Sequence, residues 1–495
     1  MKLRLTPLVL SLCFLSVTAA PALADVDAAH PIKKSKHSMA VTSTHTKSAA
    51  ATESSNYVPS VSTEALGIGA QTLPLDIDVP GQSFVSTGPY IGIPLSYSGV
   101  NLIINNPNIN EDVTLLNIRK TVRDRLIALG RPIEEDHAHL LLSGIVEGQA
   151  IYKSPGQGPN SSDIDLTSAG LDGYILGPSP WTSALLSLSY DNDVGSNTGS
   201  FNNNSRTQSS RLFVNKAFIV IGNFSESPIY GSIGQMYVPF GTYASNMVSS
   251  PVTKLLARLK ERALLIGYQQ QTPNALYASA YVFKGDSYVG ATPRINNGGV
   301  NVGYRFGQTD VYTGDFGGGV IANIADSQGM QNTGNAPAFG GFGGTSGSGN
   351  EKLVHRVPAL NLRGLFGIGK QIDLLAEYVG ALSSFNPNDL SMNGHGAKPQ
   401  ALNAEASYSF MAFERPSSVA VGVAKTKDAL AVGLPLARYS FVFNTSLWKD
   451  TLQSLELRHD IEYASSNVAS GSGVAALPQT GRSDNTVTAQ FDIYF

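Results

Sequence analysis

The sequence is poor in cysteine and in charge, and beyond its first residues it has no long apolar run. Its single cysteine is Cys13, and only 14% of its residues are charged. Loss of Cys13 with an export signal would leave the chain without a disulfide or a thiolate metal site. Because no later stretch holds about 20 consecutive apolar residues, no transmembrane helix is predicted.

The first residues predict a signal peptide that covers residues 1–24. Lys2 and Arg4 form a positively charged start, an apolar run follows at 8–17, and small residues precede a cleavage site after Ala24. Removal of Lys2 and Arg4 lowers the basic residues from 34 to 32, against 37 acidic ones, which gives a net charge of −5. This mildly acidic balance argues against a nucleic-acid partner. No metal site and no other cofactor is predicted.

Glycine and aromatic residues are abundant instead. The chain contains 50 Gly, 20 Tyr and 20 Phe. Few charges and many aromatic residues without helical spans suit a transmembrane β-barrel, in which only every second strand residue meets lipid. A large soluble β-protein has the same broad composition, so composition alone leaves both classes open.

The region before the strands divides into two parts. Residues 25–62 are rich in Ser, Thr, Lys and His and are expected to be disordered, because they hold too few large apolar residues to form a core. Residues 63–135 are expected to form a small periplasmic segment. It would contain one helix near 111–129, which Asn110 would cap and Gly130 would end.

Over residues 136–495 the apolar period is two, which predicts an antiparallel outer-membrane β-barrel of about sixteen strands. An even number of strands is typical of bacterial barrels. The predicted strands span 140–153, 162–177, 181–192, 211–223, 228–240, 262–270, 276–285, 296–308, 309–326, 356–369, 371–385, 398–413, 417–430, 438–450, 451–464 and 483–495.

The connections between these strands alternate in length after the first strand. Those at 307–310 and 369–371 are short, whereas those at 327–355 and 465–482 are long. Outer-membrane barrels have short periplasmic turns and long external loops, and a soluble sandwich has no reason to keep this alternation. The pattern therefore favours a barrel in the cell outer membrane with both termini in the periplasm.

The final strand carries a second signal of the same class. Its apolar residues alternate with polar ones up to a terminal phenylalanine, which resembles the tag read by the outer-membrane barrel-insertion machinery. The residues of this predicted barrel-insertion signal are Val487, Ala489, Phe491, Ile493 and Phe495.

Strand alternation also assigns charged residues to the barrel lumen. A basic residue on the lipid face would cost about 2–4 kcal/mol near the membrane midplane, and an acidic one somewhat less. The predicted lumen-lining residues are Arg305, Arg363, Asp373, Glu377, Glu405, Glu456, Arg458, Asp460, Glu462 and Asp492. Two interpretations remain open: these charges only solvate one another across a wide lumen, or they contact a ligand.

The loop at 241–261 is predicted to contain a helical turn after Pro251. A loop with helical content can fold inward and narrow a barrel. Lys254, Arg258 and Lys260 are therefore candidates for a constriction. The alternative is a surface loop that packs on the rim of the barrel.

Two stretches resemble the legiobactin-receptor (LbtU-type) family of siderophore porins. One lies at 86–112 and begins Ser-Thr-Gly-Pro-Tyr-Ile-Gly; the other lies at 234–266 and contains Gln-Met-Tyr-Val-Pro-Phe-Gly. The resemblance extends from about residue 75 to residue 495. It implies a barrel of about sixteen strands that takes up ferric siderophore without a plug domain and independently of TonB energy coupling.

Three classes of function follow. The first is an uptake porin for ferric siderophore, and the second is a general or other small-solute porin without iron specificity. The seven acids among the predicted lumen residues, against three bases, favour cations over an anionic ferric chelate. The third is an enzyme or adhesin, but neither Gly-x-Ser-x-Gly nor His-Glu-x-x-His occurs, so no enzyme is predicted.

The expected partners follow from the barrel and from these solute classes. They are outer-membrane lipid, the barrel-insertion machinery, and ferric siderophore or another small solute. A homo-oligomer is left open.

Overall fold

The computed structural model describes thirteen stretches of the chain. These are residues 83–85, 110–128, 139–191, 211–272, 274–290, 294–309, 311–331, 339–343, 351–369, 371–448, 451–471, 477–478 and 481–494. The chain divides into two compact units, Met1–Val58 and Pro59–Phe495, and every described residue lies in the second. The predicted signal peptide, the predicted tail at 25–62, most of the segment at 63–135 and Phe495 lie outside the described residues.

Sixteen strands pair antiparallel with their neighbours, and the last closes onto the first. They are β2 (His139–Ser154), β3 (Ser161–Leu176), β4 (Thr182–Asp191), β5 (Arg211–Gly222), β6 (Ile229–Tyr237), β7 (Lys260–Gln269), β8 (Ala275–Phe283), β9 (Asn297–Thr309), β10 (Tyr312–Ile321), β11 (Ala359–Ile368), β12 (Ile372–Ala381), β15 (Gln400–Ala412), β16 (Arg415–Lys427), β17 (Ala437–Thr445), β18 (Thr451–Ile461) and β21 (Ser483–Tyr494). β2 bonds to β3 on one side and to β21 on the other, so the sheet has the closed order of a barrel. The predicted sixteen-stranded antiparallel barrel is confirmed.

The remaining elements are not among the sixteen strands that close the barrel. β1 (Ser83–Val85) pairs in parallel with β2, and a four-stranded sheet is formed by β13 (Leu390–Met392), β14 (His395–Gly396), β19 (Val468–Gly471) and β20 (Leu477–Pro478). The helices are α1 (Glu111–Ala128), α2 (Val252–Ala257) and α3 (Gln328–Gln331). Among the described residues, no helix is both long enough and apolar enough to cross a membrane.

Several predicted strands end three to five residues earlier than expected, and the one predicted at 309–326 shows why. The pattern at 309–326 predicts a single strand, but β10 ends at Ile321 and a 3-10 turn follows at Ile324–Asp326. The side chain of Asn323 accepts a hydrogen bond from the Ala325 N–H and thereby caps this turn. Apolar alternation continues through a capped turn, so the pattern alone does not mark this boundary.

The barrel wall has an apolar outer face and a polar inner face. On β21, Thr486, Thr488 and Gln490 are buried, whereas the alternating Val487 and Phe491 are exposed. The same alternation runs through β7, β8, β12, β15 and β16. A continuous band of exposed Ile, Leu, Val and Phe around a closed barrel is the surface that lipid covers.

The lengths of the connections between strands distinguish the two ends of the barrel. Short turns lie between β3 and β4, β5 and β6, β9 and β10, β11 and β12, and β15 and β16. Long connections follow β4, β6, β10, β12 and β18 at the opposite end. We call these the short-turn end and the long-loop end. The start of β2 and the end of β21 both lie at the short-turn end.

Aromatic rings of the inner face lie over glycines of the neighbouring strand. Tyr230 pairs with Gly267 across β6 and β7, and Tyr277 pairs with Gly303 across β8 and β9. A Cβ atom on Gly267 would lie 2.2 Å from Tyr230 Cζ, which no real contact allows. These glycines therefore give the rings the space to lie flat along the wall.

We expect Gly267→Ala to destabilise the barrel by about 1–3 kcal/mol, because the added methyl group must displace a packed ring. The matched control is Gly231→Ala on the partner strand. A Cβ atom there would meet only Leu265 O, at 3.5 Å, so little loss is expected. Urea-induced unfolding in detergent micelles measures both variants. Equal stability of the two would show that Tyr230 moves aside without cost.

Candidate functional site

The connection between β6 and β7 does not stay at the rim. Residues 238–259, which we call the inner loop, run along the inner face of the wall from β12 to β18 and return to β7. The loop contains α2, with Pro251 at its N-cap. Tyr237 and Lys260 pair directly, so the whole loop is an insertion between two bonded strand residues.

Glu377 of β12 holds the first part of the inner loop. Its carboxylate accepts hydrogen bonds from the backbone N–H groups of Thr242 and Tyr243, both at 2.8 Å. Tyr243 has φ of 56° and Gly241 has φ of 91°. Left-handed residues in such a turn point successive N–H groups to one side, which forms a small anion-binding concavity. Here the anion is a carboxylate of the protein itself.

Glu405 of β15 holds the next part in the same way. It accepts hydrogen bonds from Ser245 Oγ at 2.6 Å and from the Asn246 N–H at 2.7 Å. Asn403 Nδ2, two residues away on the same strand, donates a third at 2.9 Å. All four residues are buried. Each hydrogen bond to a charged group contributes about 1.5–3 kcal/mol, and the loop N–H would otherwise be buried without an acceptor.

Two further strands complete the attachment. Glu456 of β18 accepts from the Ser249 N–H at 2.8 Å. On β17, Arg438 Nη1 donates to Ser250 O at 3.1 Å, and Asn444 Nδ2 donates to Asn246 O at 3.3 Å. The inner loop is thus bonded to four strands over most of its first half.

The second half of the inner loop packs through apolar residues. Leu256 and Leu259 are buried, whereas Leu255 is 38% exposed. Ser327 Oγ donates to Leu256 O at 2.6 Å, and the Gln328 N–H donates to Arg258 O at 2.8 Å. The long connection after β10 therefore covers the loop from the long-loop end.

The three predicted constriction residues occupy different places. Arg258 lies over the ring of Tyr237 and donates to Gln328 Oε1 at 2.8 Å. Lys260 lies over the ring of Phe213 and donates to Asn215. Lys254 is half-buried and interacts electrostatically with Glu147 of β2.

The predicted lumen residues that do not touch the inner loop pair along the wall. Arg305 bonds to Asp315 at 2.9 Å. Arg363 Nη2 donates to Asn301 Oδ1 at 2.6 Å and to Tyr277 OH at 3.1 Å. In this part of the wall a row of polar side chains runs from β8 to β11.

The other predicted lumen residues lie near β18 and β21 or on β12. Asp460 bonds to both Arg438 and Arg458, at 2.7 and 3.2 Å. Asp492 accepts from Gln490 Nε2 at 2.8 Å, Asp373 lies opposite Ser407 of β15, and Glu462 is half-buried just after β18.

Several residues that hold this arrangement were not predicted. Arg438, Asn444, Asp315 and Lys216 all occupy inward positions. The same alternation that selects Glu405 would have selected Arg438, whereas Lys216 lies at a register shift of β5, where the alternation changes phase.

Helix α1 lies against the inner face at the short-turn end. Lys216 of β5 bonds to Glu111 at 2.5 Å, and Ser232 of β6 donates to Asp112 at 2.9 Å. Tyr174 OH of β3 donates to Leu115 O at 2.7 Å. Further along the helix, Arg119 donates to carbonyl oxygens of the turn between β3 and β4.

Burial of the start of α1 shifts its acidic groups. Desolvation raises the pKa of Asp112 to about 6, although Ser232 and the Val113 N–H stabilise the carboxylate. It raises the pKa of Glu111 to about 7, while Lys216 acts in the opposite direction. A released helix would expose both groups to water and restore their ordinary pKa values. Docking of α1 therefore takes up protons.

The sequence has curated relatives in Coxiella burnetii and Legionella pneumophila. It is 40% identical over 417 residues to a UPF0422 protein of Coxiella burnetii, which covers 83% of this chain and 84% of that protein. It is 41% identical over 419 residues to a UPF0422 protein of Legionella pneumophila strain Lens, covering 83% and 76%. The chain belongs to the UPF0422 family. No family model matches it.

Solved structures similar to this UPF0422 protein are outer-membrane porins. The outer membrane channel DcaP of Acinetobacter baumannii has a TM-score of 0.44 at 13% identity, covering 72% of this chain and 97% of that one. The anion-selective porin from Comamonas acidovorans has a TM-score of 0.46 at 12% identity, covering 72% and 100%.

We expect Glu405→Gln to loosen the inner loop of this UPF0422 protein. The amide keeps the shape but turns an acceptor into a donor that faces the Asn246 N–H, which removes about 1–3 kcal/mol of attachment. Single-channel recordings should show higher or noisier conductance. Asp373→Asn is the matched control, because that inner-face carboxylate lies opposite Ser407 of the neighbouring wall strand. If Glu405→Gln gave the same conductance traces as the wild type, the other hydrogen bonds to the inner loop would be sufficient to hold it.

We expect docking of α1 to weaken as the pH rises. The docked pKa of Asp112, about 6, exceeds its ordinary value of 3.8, so its contribution favours docking below pH 4 and is lost by pH 6. Hydrogen exchange of residues 113–119, corrected for intrinsic rates, measures this. Asp112→Asn should flatten the profile in that range, whereas Asp124→Asn, at an exposed site on the same helix, should not.

Proposed function

We propose that this UPF0422 protein is an outer-membrane porin for downhill uptake of a selected small solute, with ferric siderophore as the first candidate. The observation that carries the porin function is the inner loop, bonded to four strands inside a sixteen-stranded barrel. A loop fixed against the inner wall narrows a hydrated lumen without closing it, which is how a porin sets the size of its solute.

The inner wall repels an anionic chelate less than its excess of acidic residues suggests. Glu377, Glu405 and Glu456 are engaged by N–H and hydroxyl groups of the inner loop, and Asp460 is engaged by two arginines. Asp460 is therefore neutralised by its arginines, and the three glutamates have their oxygens occupied by the loop. The loop itself adds two basic residues, Lys254 and Arg258, and Lys260 follows at the start of β7. Resemblance to siderophore porins supplies the choice of ferric siderophore.

A second candidate, a porin for cations or other small solutes without iron specificity, has one observation in its favour. Glu147 of β2 and Asp492 of β21 lie close enough to interact electrostatically, and Lys254 is the cation that acts on Glu147. Two neighbouring carboxylates on one stretch of wall attract cations.

The orientation that goes with this function places the short-turn end in the periplasm. Short turns face the periplasm in outer-membrane barrels, and long loops face outward. Helix α1 then narrows the periplasmic mouth, while the inner loop narrows the middle of the channel. A solute would pass both.

We expect iron-starved cells that lack the gene to take up less ⁵⁵Fe-loaded native siderophore into the periplasm. Uptake in the parent strain should persist after brief collapse of the inner-membrane proton gradient, because a porin needs no energy coupling. Equal entry with and without the gene would remove iron as the solute and favour the second candidate.

A loop replacement tests the constriction of the channel independently of which solute passes through it. Because Tyr237 and Lys260 are paired, residues 238–259 can be replaced by Asn-Gly, which closes a two-residue hairpin. This variant should conduct more in planar bilayers and admit larger solutes. Unchanged conductance would contradict a constricting role for the inner loop.

A further inference from the structure

A long groove runs along the outer face of the barrel over β6 to β9. Its volume is about 1470 Å³, larger than the roughly 300–1,000 Å³ of an ordinary small-molecule pocket. Outward-facing side chains line it, among them Leu264, Ile266, Val282 and Val300. Its position on the lipid-facing wall separates it from the channel.

Small residues make the groove deep. Gly231, Ala280 and Gly298 occupy outward positions on three different strands, between larger aliphatic neighbours. Gly231 pairs with Ile266, which pairs with Ala280, so a single row across the wall holds two of these gaps. An apolar trench of this kind excludes water and must be filled by apolar chains.

The two ends of the groove differ in chemistry. Trp181 lies at the short-turn end, where membrane proteins place aromatic residues at the interface. Arg294 and Arg356 line the long-loop end, and both are exposed. In the part of the chain that the structure describes, neither guanidinium has a carboxylate partner.

We propose that this outer groove binds a phosphorylated lipid of the outer leaflet, a lipid A-type glycolipid, with acyl chains along the trench and a phosphate on Arg294 and Arg356. Arginine forms bidentate, charge-assisted hydrogen bonds with phosphate, and two arginines at one end of an apolar trench match a lipid with an anionic head. The long-loop end faces the outer leaflet in barrels of this class.

A second copy of the chain fits the groove less well. Interfaces between subunits exclude charge from their buried centre, and burial of two arginines without acidic partners would cost more than the apolar contact returns. A lipid brings its own phosphate to that position.

The test measures lipid retention by the full chain in mild detergent, by native mass spectrometry. The probes are bis-phosphorylated lipid A, the same lipid A without phosphates, phosphatidylglycerol and phosphatidylethanolamine. The wild type should retain bis-phosphorylated lipid A at least about tenfold better than the dephosphorylated form. Equal retention of all four probes would overturn the proposal in favour of ordinary boundary lipid.

Variants locate the site. Arg294→Ala combined with Arg356→Ala should remove the preference for the phosphorylated form. The matched control is Lys425→Ala combined with Lys427→Ala, because these exposed lysines lie at the long-loop end of β16, away from the groove. Loss of the preference in the lysine pair instead would place the lipid elsewhere and overturn the proposal.

A third variant tests the trench without touching the arginines. The position of Gly231 has room for a side chain, since its Cβ atom would meet only Leu265 O at 3.5 Å. Gly231→Leu should therefore fold and weaken retention by filling the trench. Full retention in this variant would contradict acyl binding there. Cross-linking of two copies through Ala280→Cys in the membrane would show a subunit interface instead and overturn the proposal.

Discussion

The interior of this barrel depends on the hydrogen bonds that buried carboxylates accept from backbone N–H groups. A loop that leaves the sheet takes its N–H and C=O groups away from the strand ladder, and inside a barrel each needs a new partner. Glu377, Glu405 and Glu456 supply acceptors from three strands. Because the acceptors belong to rigid strands, the loop has a fixed path across the lumen.

The acidic residues of the inner wall hold the inner loop in place. This role differs from both interpretations of the sequence, in which these residues only solvate one another or contact a ligand. They do not merely solvate one another, and those that bind the loop have little capacity left for a solute. The charge that a solute meets is set by what remains, namely Lys254 and Arg258 of the loop and the wall residues near β2 and β21. Counting charges by strand face therefore overestimates the negative charge of the lumen.

The barrel itself was predictable from the sequence because lipid imposes a period of two on every strand. In both the sequence pattern and the structure, Leu455 and Leu457 face outward, whereas Glu456 and Asp460 face inward. The path of the inner loop was harder to predict, since the Ser245 hydroxyl and the Asn246 N–H that donate to Glu405 lie about 160 positions away in the sequence. Strand alternation places a carboxylate on the inner face but does not say which backbone will reach it. The outer groove depends on three small residues that become neighbours only through strand register.

The pairing of β1 with β2 has a consequence for helix α1. β21 meets β2 only from Ile145 onward, so the edge of residues 140–142 is open to another strand, and β1 bonds there. Helix α1 is therefore tethered on both sides, by β1 before it and β2 after it. A tethered helix that leaves its place remains at high effective concentration and rebinds within the same molecule. Helix α1 can thus leave the short-turn end of the barrel and return to it without being lost from the molecule.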